Sequence, residues 1–167
     1  NASAFVESVL SIDESRAKGL YEVLRADNYP IVITRNLERA KEWLRQKARG
    51  SERTGIVASS GAYRLRPLGL SVKHNIDAPI WFLNGKEDVR SSYFLEEVAT
   101  EFDIQGLELD WTCVCWDGDL YFQNGQWKRR KFKGTKWQNI NDVFARRYLT
   151  NAYRVLLTRA RQGMVVF

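Results

Sequence analysis

Apolar and polar positions along this chain follow two rhythms, one of about 3.6 residues and one of two. Ser11-Ile12-Asp13-Glu14 has the capping-box pattern and opens a predicted helix with Ala17, Leu20, Tyr21 and Leu24 on one face. Asp27-Asn28-Tyr29-Pro30 reads as a turn and Ile31 to Thr34 as a buried strand. Asn36 then caps a second helix, with Leu37, Ala40, Leu44 and Ala48 at helical spacing and Gly50-Ser51 as its stop. Gly55 to Ala58 is another short strand. Two strand–helix alternations in the first sixty residues argue for a parallel α/β sheet. Ser59 to Asn75 reads as a loop-rich excursion, and Trp81-Phe82-Leu83 fits helix or strand equally. Glu97 to Thr100 and the apolar run Trp111 to Trp116 read as two further strands. Asn124-Gly125, between Leu120-Tyr121-Phe122 and the alternating Trp127, Arg129 and Lys131, predicts a hairpin with a type I′ turn.

The C-terminal pattern predicts a helix from Asp142 to Arg161, capped by Asn141 and closed by Gly163, then a buried strand Met164 to Phe167. On a wheel of about 100° per residue, Phe144, Tyr148, Ala152 and Val155 form the core stripe. Arg147, Arg154 and Arg161 share another side. Arg159 lies inside the core-facing stripe, at its C-terminal end. A guanidinium there needs an anion or a carboxylate, because an unpaired buried charge is very costly. A structural Arg, paired with a carboxylate and supporting the last helical carbonyls, meets that need as well as a functional one.

The chain has 167 residues, 44% of them apolar, which suits one folded domain. No run approaches the ~20 apolar residues of a membrane span, and no signal peptide is visible. The absence of Met at position 1 and the apolar last strand suggest an excised piece of a longer protein. Cys113 and Cys115 sit two apart in an apolar run, which predicts core thiols and a reducing, cytoplasmic setting. With one histidine, His74, the soft ligands are too few for a zinc site.

A net charge of +6 allows a polyanionic partner. The positive charge concentrates in two places. Arg64, Arg66 and Lys73 make the loop-rich excursion basic. Lys128-Arg129-Arg130-Lys131, with Lys133 and Lys136, interleaves with Trp127, Phe132 and Trp137. Such clusters can hold phosphates and stack bases, although a solvated hairpin has the same composition. In Thr100 to Asp110, TEFDIQGLELD, Gly106 permits close approach of a backbone or ligand, while Gln105, Glu108 and Asp110 interrupt apolar sequence before a buried strand. A capped strand-connecting turn would read the same way.

NAYRVLLTRARQG followed by MVVF resembles the last motif of superfamily 1 helicases, where a Thr-Arg-Ala sequence brings an Arg to the γ-phosphate of ATP on a partner domain. The resemblance implies that Arg159 is an arginine finger, with Thr158 and Ala160 as its neighbours. Those helicases often have Tyr where this chain has Arg154, so roles of that Tyr do not carry over. Arg-Val-Leu-Leu-Thr-Arg is closer to uncharacterised bacterial P-loop proteins related to the Schlafen helicase-like domain. Thr100, Gln105-Gly106, Glu108 and Asp110 resemble helicase motif V. That likeness implies nucleic-acid contact near Thr100 and Gly106 and nucleotide contact near Gln105, Gly106 and Glu108. Phe102 stands where some helicases have His. GIVASSGAYR, Gly55 to Arg64, sits where motif IV would be, and Arg64 could meet a phosphate.

The chain has no G-x-x-x-x-G-K-[ST] and no apolar strand ending in Asp-Glu, so it lacks the phosphate loop and the Mg²⁺ carboxylates. Motifs in the order IV, V, VI imply that residues 1–167 are the second RecA-like domain of an ATP-dependent, helicase-like P-loop NTPase. Its expected fold is a mostly parallel sheet flanked by helices, with an inserted hairpin. Its expected partners are an N-terminal RecA-like domain of the same protein and DNA or RNA, with no membrane. ATP and Mg²⁺ would serve the full-length enzyme, and the isolated chain would be inactive. The alternative is a non-catalytic module that binds nucleic acid or another polyanion.

Overall fold

The computed structural model describes residues 1–167. In chain order the elements are α1 (Ala2–Leu10), α2 (Glu14–Ala26), β1 (Ile31–Ile33), α3 (Leu37–Lys47), β2 (Thr54–Ala58), α4 (Ala78–Leu83), β3 (Val98–Ala99) and β4 (Leu109–Cys115). There follow β5 (Leu120–Gln123), β6 (Gln126–Lys133), β7 (Lys136–Asn139), α5 (Val143–Leu157) and β8 (Ala160–Val166). Short 3-10 turns cover Tyr63–Leu68 and Ser92–Phe94. No helix is long and apolar enough to cross a membrane.

Five strands form one sheet in the order β1-β8-β4-β2-β3, and every neighbouring pair is parallel. The period of two divides its side chains between two cores. Val57, Val114 and Met164 face the helices α1, α2 and α5, where Val6, Leu24, Tyr153 and Leu156 are buried. Ile56, Cys113, Cys115 and Val165 face the other way, onto Ala40 and Leu44 of α3. The two thiols lie on that same face, free and buried, with sulfurs 3.7 Å apart.

Asn36 caps α3 as expected, accepting from the Arg39 amide at 3.0 Å. In α2 the cap is Asp13, accepting from the Arg16 amide, and Ser11 of the predicted capping box ends α1 instead. The ambiguous Trp81 segment is helical because Asp77 caps it and Pro79 stands in its first turn. The predicted hairpin forms, with Asn124 at φ 52° and Gly125 at φ 74°, as a type I′ turn requires. A third strand, β7, extends it into a separate antiparallel sheet.

The C-terminal helix departs from expectation. Its cap is Asp142, which accepts from the Ala145 amide at 2.7 Å, and not Asn141. It ends at Leu157, so Arg159 and Arg161 are not helical. Ala160 pairs with Leu109 and recruits Ala160–Gln162 into β8. Gly163, expected to close the helix, lies inside this strand. A Cβ there would stand 2.7 Å from the Pro30 carbonyl oxygen and 2.8 Å from the Trp111 ring, so only glycine fits between them. The buried stripe of α5 is Leu149, Ala152, Tyr153, Leu156 and Leu157, whereas Phe144 and Tyr148 are 76% and 50% exposed.

Candidate nucleotide and nucleic-acid interfaces

The sequence-selected residues gather at two opposite ends of the parallel sheet. At the amino ends of β4 and β8, the loop from Thr100 to Glu108 meets the residues that follow α5. The Leu109 amide donates to the Arg159 carbonyl at 3.0 Å, and Arg159 Nη1 donates to the Leu107 carbonyl at 3.4 Å. Arg159 forms no ion pair, and its Nε is buried without a partner. The carboxylate partner expected of a merely structural Arg is therefore absent. Glu108 is engaged by its neighbour Arg161, with Nε to Oε2 at 2.9 Å and both side chains more than half exposed. Gln105 and Gly106 are exposed beside it, and Gly106 takes φ 80°, which favours glycine.

Arg53 also lies at this end, and its role is internal. It donates to the carbonyls of Trp81 and Asn84 and to Ser92 Oγ, and its guanidinium stacks over Tyr93 at 4.3 Å. Desolvation lowers its pKa. The contrast with Arg159 is direct: one half-buried guanidinium is saturated with acceptors and the other is not.

At the carboxyl ends of β2, β3 and β4 a buried polar network replaces apolar packing. Asp119 Oδ2 accepts from Ser59 Oγ at 2.6 Å, and Asp119 Oδ1 accepts from the Tyr153 hydroxyl and the Leu120 amide. Burial pushes the Asp119 carboxyl up to about 6, reinforced by the charge of Asp117, while the three donors pull it the other way. Burial, with the charge of Asp119 next, drives the Tyr153 phenol well above its ordinary range. Glu101 receives the Ser60 amide at 2.8 Å and the Ser60 hydroxyl at 2.6 Å. Thr100 is buried, and both its amide and its hydroxyl donate to Asp103. None of Ser59, Glu101, Asp119 or Tyr153 was singled out from the sequence. Their only local signal is the Asp-Gly-Asp following an apolar strand.

The same end carries the basic residues. Arg129 Nε donates to Thr150 Oγ1 at 2.8 Å, tying β6 to α5. Arg130 Nε donates to the Gly118 carbonyl at 2.6 Å, and its guanidinium lies between the rings of Tyr121 and Trp137 at 4.2 and 4.6 Å. Lys128 lines a shallow polar cavity of about 290 Å³ with Arg129 and Arg146, and Lys131 is exposed. Arg64 projects beside the β6–β7 turn, its guanidinium 5.1 Å from the Phe132 ring. No three His, Cys, Asp or Glu side chains converge as metal ligands.

A parallel five-stranded sheet flanked by helices, with an antiparallel insertion after its central strand, is the build of a RecA-like α/β domain. Residues 1–167 match the family described as Schlafen group 3, DNA/RNA helicase domain, and the chain belongs to that family. No curated protein and no solved structure matches it.

Proposed function

We propose that this chain is the C-terminal motor domain of a superfamily 1-type NTPase and supplies Arg159 to a nucleotide held by an N-terminal RecA-like domain of the same protein. The observation that supports this most is the state of Arg159. It stands beside the motif V-like loop with a buried, unpartnered Nε, a single long bond to Leu107 and no carboxylate. Such a cation has unused capacity for an incoming anion. In this reading Gln105, Gly106 and Glu108 form the rim on which the nucleotide rests, and Arg161 fixes Glu108. Charge that develops on the transferring phosphoryl oxygens is then met by a guanidinium already in place. Its planar fork is what Lys cannot reproduce.

The residues of this chain do not fit a Mg²⁺ site, since no group of carboxylates converges. The metal ligands and the phosphate loop belong to the partner domain in this reading. A second reading, a polyanion-binding module without catalysis, draws on the cationic surface around Arg64 and β6, which is independent of Arg159.

Steady-state ATPase kinetics of the two-domain protein, beside a melting curve for each variant, test the proposal. Arg159→Ala and Arg159→Lys should lower kcat by about 10³–10⁵, the range for arginine fingers. The melting temperature should hold, because only one weak neutral-acceptor bond is lost, about 1 kcal/mol or less. A melting point that falls in step with activity would make Arg159 a structural residue and favour the second reading.

A further inference from the structure

The 3-10 turn Tyr63–Leu68 and the β6–β7 turn enclose a cavity of about 240 Å³. Arg64, Arg66 and Lys73 line it together with the rings of Tyr63 and Phe132. All three cations are exposed, and none of their side chains is in an ion pair or donates to an acceptor within the chain, although the Arg64 backbone amide donates to Asp117 Oδ2 at 3.0 Å. Aromatic rings hold two of them in place: Lys73 Nζ lies 4.5 Å from the Tyr63 ring centre, and Arg64 lies 5.1 Å from that of Phe132. Three unneutralised charges within one small concavity repel each other, which an anionic ligand would relieve.

We infer that this cavity, and not the run Lys128–Lys131 as a whole, is the seat of a single-stranded nucleic acid. Within that run the two arginines are committed to the fold: Arg129 to Thr150 and to the Trp127 carbonyl, Arg130 to the Gly118 carbonyl and two rings. The cavity instead offers free cations for consecutive phosphates and an aromatic wall for an unstacked base. A duplex keeps its bases stacked inside and cannot present one to Phe132. The inference rests on the polyanion-binding surface around Arg64 and β6 described above, and it does not depend on Arg159.

The test is a fluorescence anisotropy titration of this chain with labelled oligo(dT), oligo(U) and a DNA duplex over a range of salt. The triple variant Arg64→Gln, Arg66→Gln, Lys73→Gln should weaken single-strand binding roughly tenfold or more. Its salt slope should flatten by roughly 2 units, at about 0.7 per phosphate contact. Phe132→Leu should weaken the strands by roughly tenfold and leave the slope unchanged. Arg130→Gln serves as the contrast and should lower the melting temperature. Wild-type binding that the triple variant retains in full, at unchanged melting temperature, overturns the cavity alone. Duplex binding as tight as that of the single strands, and equally sensitive to Phe132→Leu, overturns the single-strand assignment. A wild-type chain that binds none of the three probes overturns the cavity as a nucleic-acid site. It leaves the Arg159 kinetics as a separate question.

Discussion

Asp119 shows how one residue ties the insertion to the sheet. Its carboxylate takes Ser59 from the end of β2 and Tyr153 from α5, and its carbonyl takes the Arg130 amide of β6. Its carboxyl titrates near 6 in the fold against an ordinary 3.8, because burial penalises the charge. A raised folded-state value means that the native state binds more protons than the unfolded chain between about pH 4 and 6. The contribution of Asp119 to stability is therefore fully present below about pH 4 and is lost as pH rises through about 6. A shift of about two units corresponds to about 3 kcal/mol. Asp119→Asn removes this titration while keeping an acceptor for Tyr153. The melting temperature of the variant relative to wild type should rise steadily from pH 4 to 6.5 and then level off. A difference that does not vary with pH would mean that Asp119 is ionised at its ordinary value.

At the level of elements, the strands β1 to β6, the α3 cap and the hairpin turn were legible because each is written in local sequence, whereas β7 and the first half of β8 were not. The alternation of Ile31–Thr34 and Gly55–Ala58 with amphipathic helices gave the parallel sheet. Asn124-Gly125 gave the turn through its tolerance of positive φ. The end of α5 was not legible. Arg159, Ala160 and Arg161 are sound helix formers, and propensity continues the helix through them. Pairing with β4, seen in the Leu109 amide bond to the Arg159 carbonyl, outweighs that propensity. The misplaced end assigned Arg159 to a helical face it does not occupy, and the wheel separately chose the wrong face, putting Phe144 and Tyr148 inward where Leu149, Tyr153 and Leu156 are buried. The selection of Arg159 thus rests on its motif context and its observed surroundings. The Asp119 network was illegible for another reason: Ser59 and Asp119 are separated by 60 residues. Two glycines test the strand assignment with opposite signs. Gly163→Ala should destabilise by about 1–3 kcal/mol, since its new Cβ meets backbone at Pro30. Gly19→Ala, mid-helix in α2 with open space around it, should stabilise by about 0.5–1 kcal/mol. Chemical denaturation of both variants decides, and a neutral Gly163→Ala would contradict the tight crossing of β8 over Pro30.

At the scale of the whole molecule, the two candidate interfaces sit at opposite ends of one sheet, and a single loop joins them. Thr100 leaves the carboxyl end of β3, and by Leu109 the chain has returned to the amino end of β4. This loop holds Thr100 and Glu101 beside the polar network at one end and Leu107 and Glu108 beside Arg159 and Arg161 at the other. In the proposed reading the two ends differ in what completes them. The amino end presents a guanidinium with no phosphate loop to face it. The carboxyl end presents cations that need no second domain. The isolated chain should therefore bind single strands yet release no phosphate from ATP above background, with Mg²⁺ and saturating oligo(dT) present. A coupled phosphate-release assay measures this directly. If the proposed two-domain reading holds, a covalently joined N-terminal RecA-like domain should restore turnover that Arg159→Ala abolishes. Turnover by the 167-residue chain alone, lost on Arg159→Ala, would show that it holds a complete nucleotide site and that the two-domain reading is wrong.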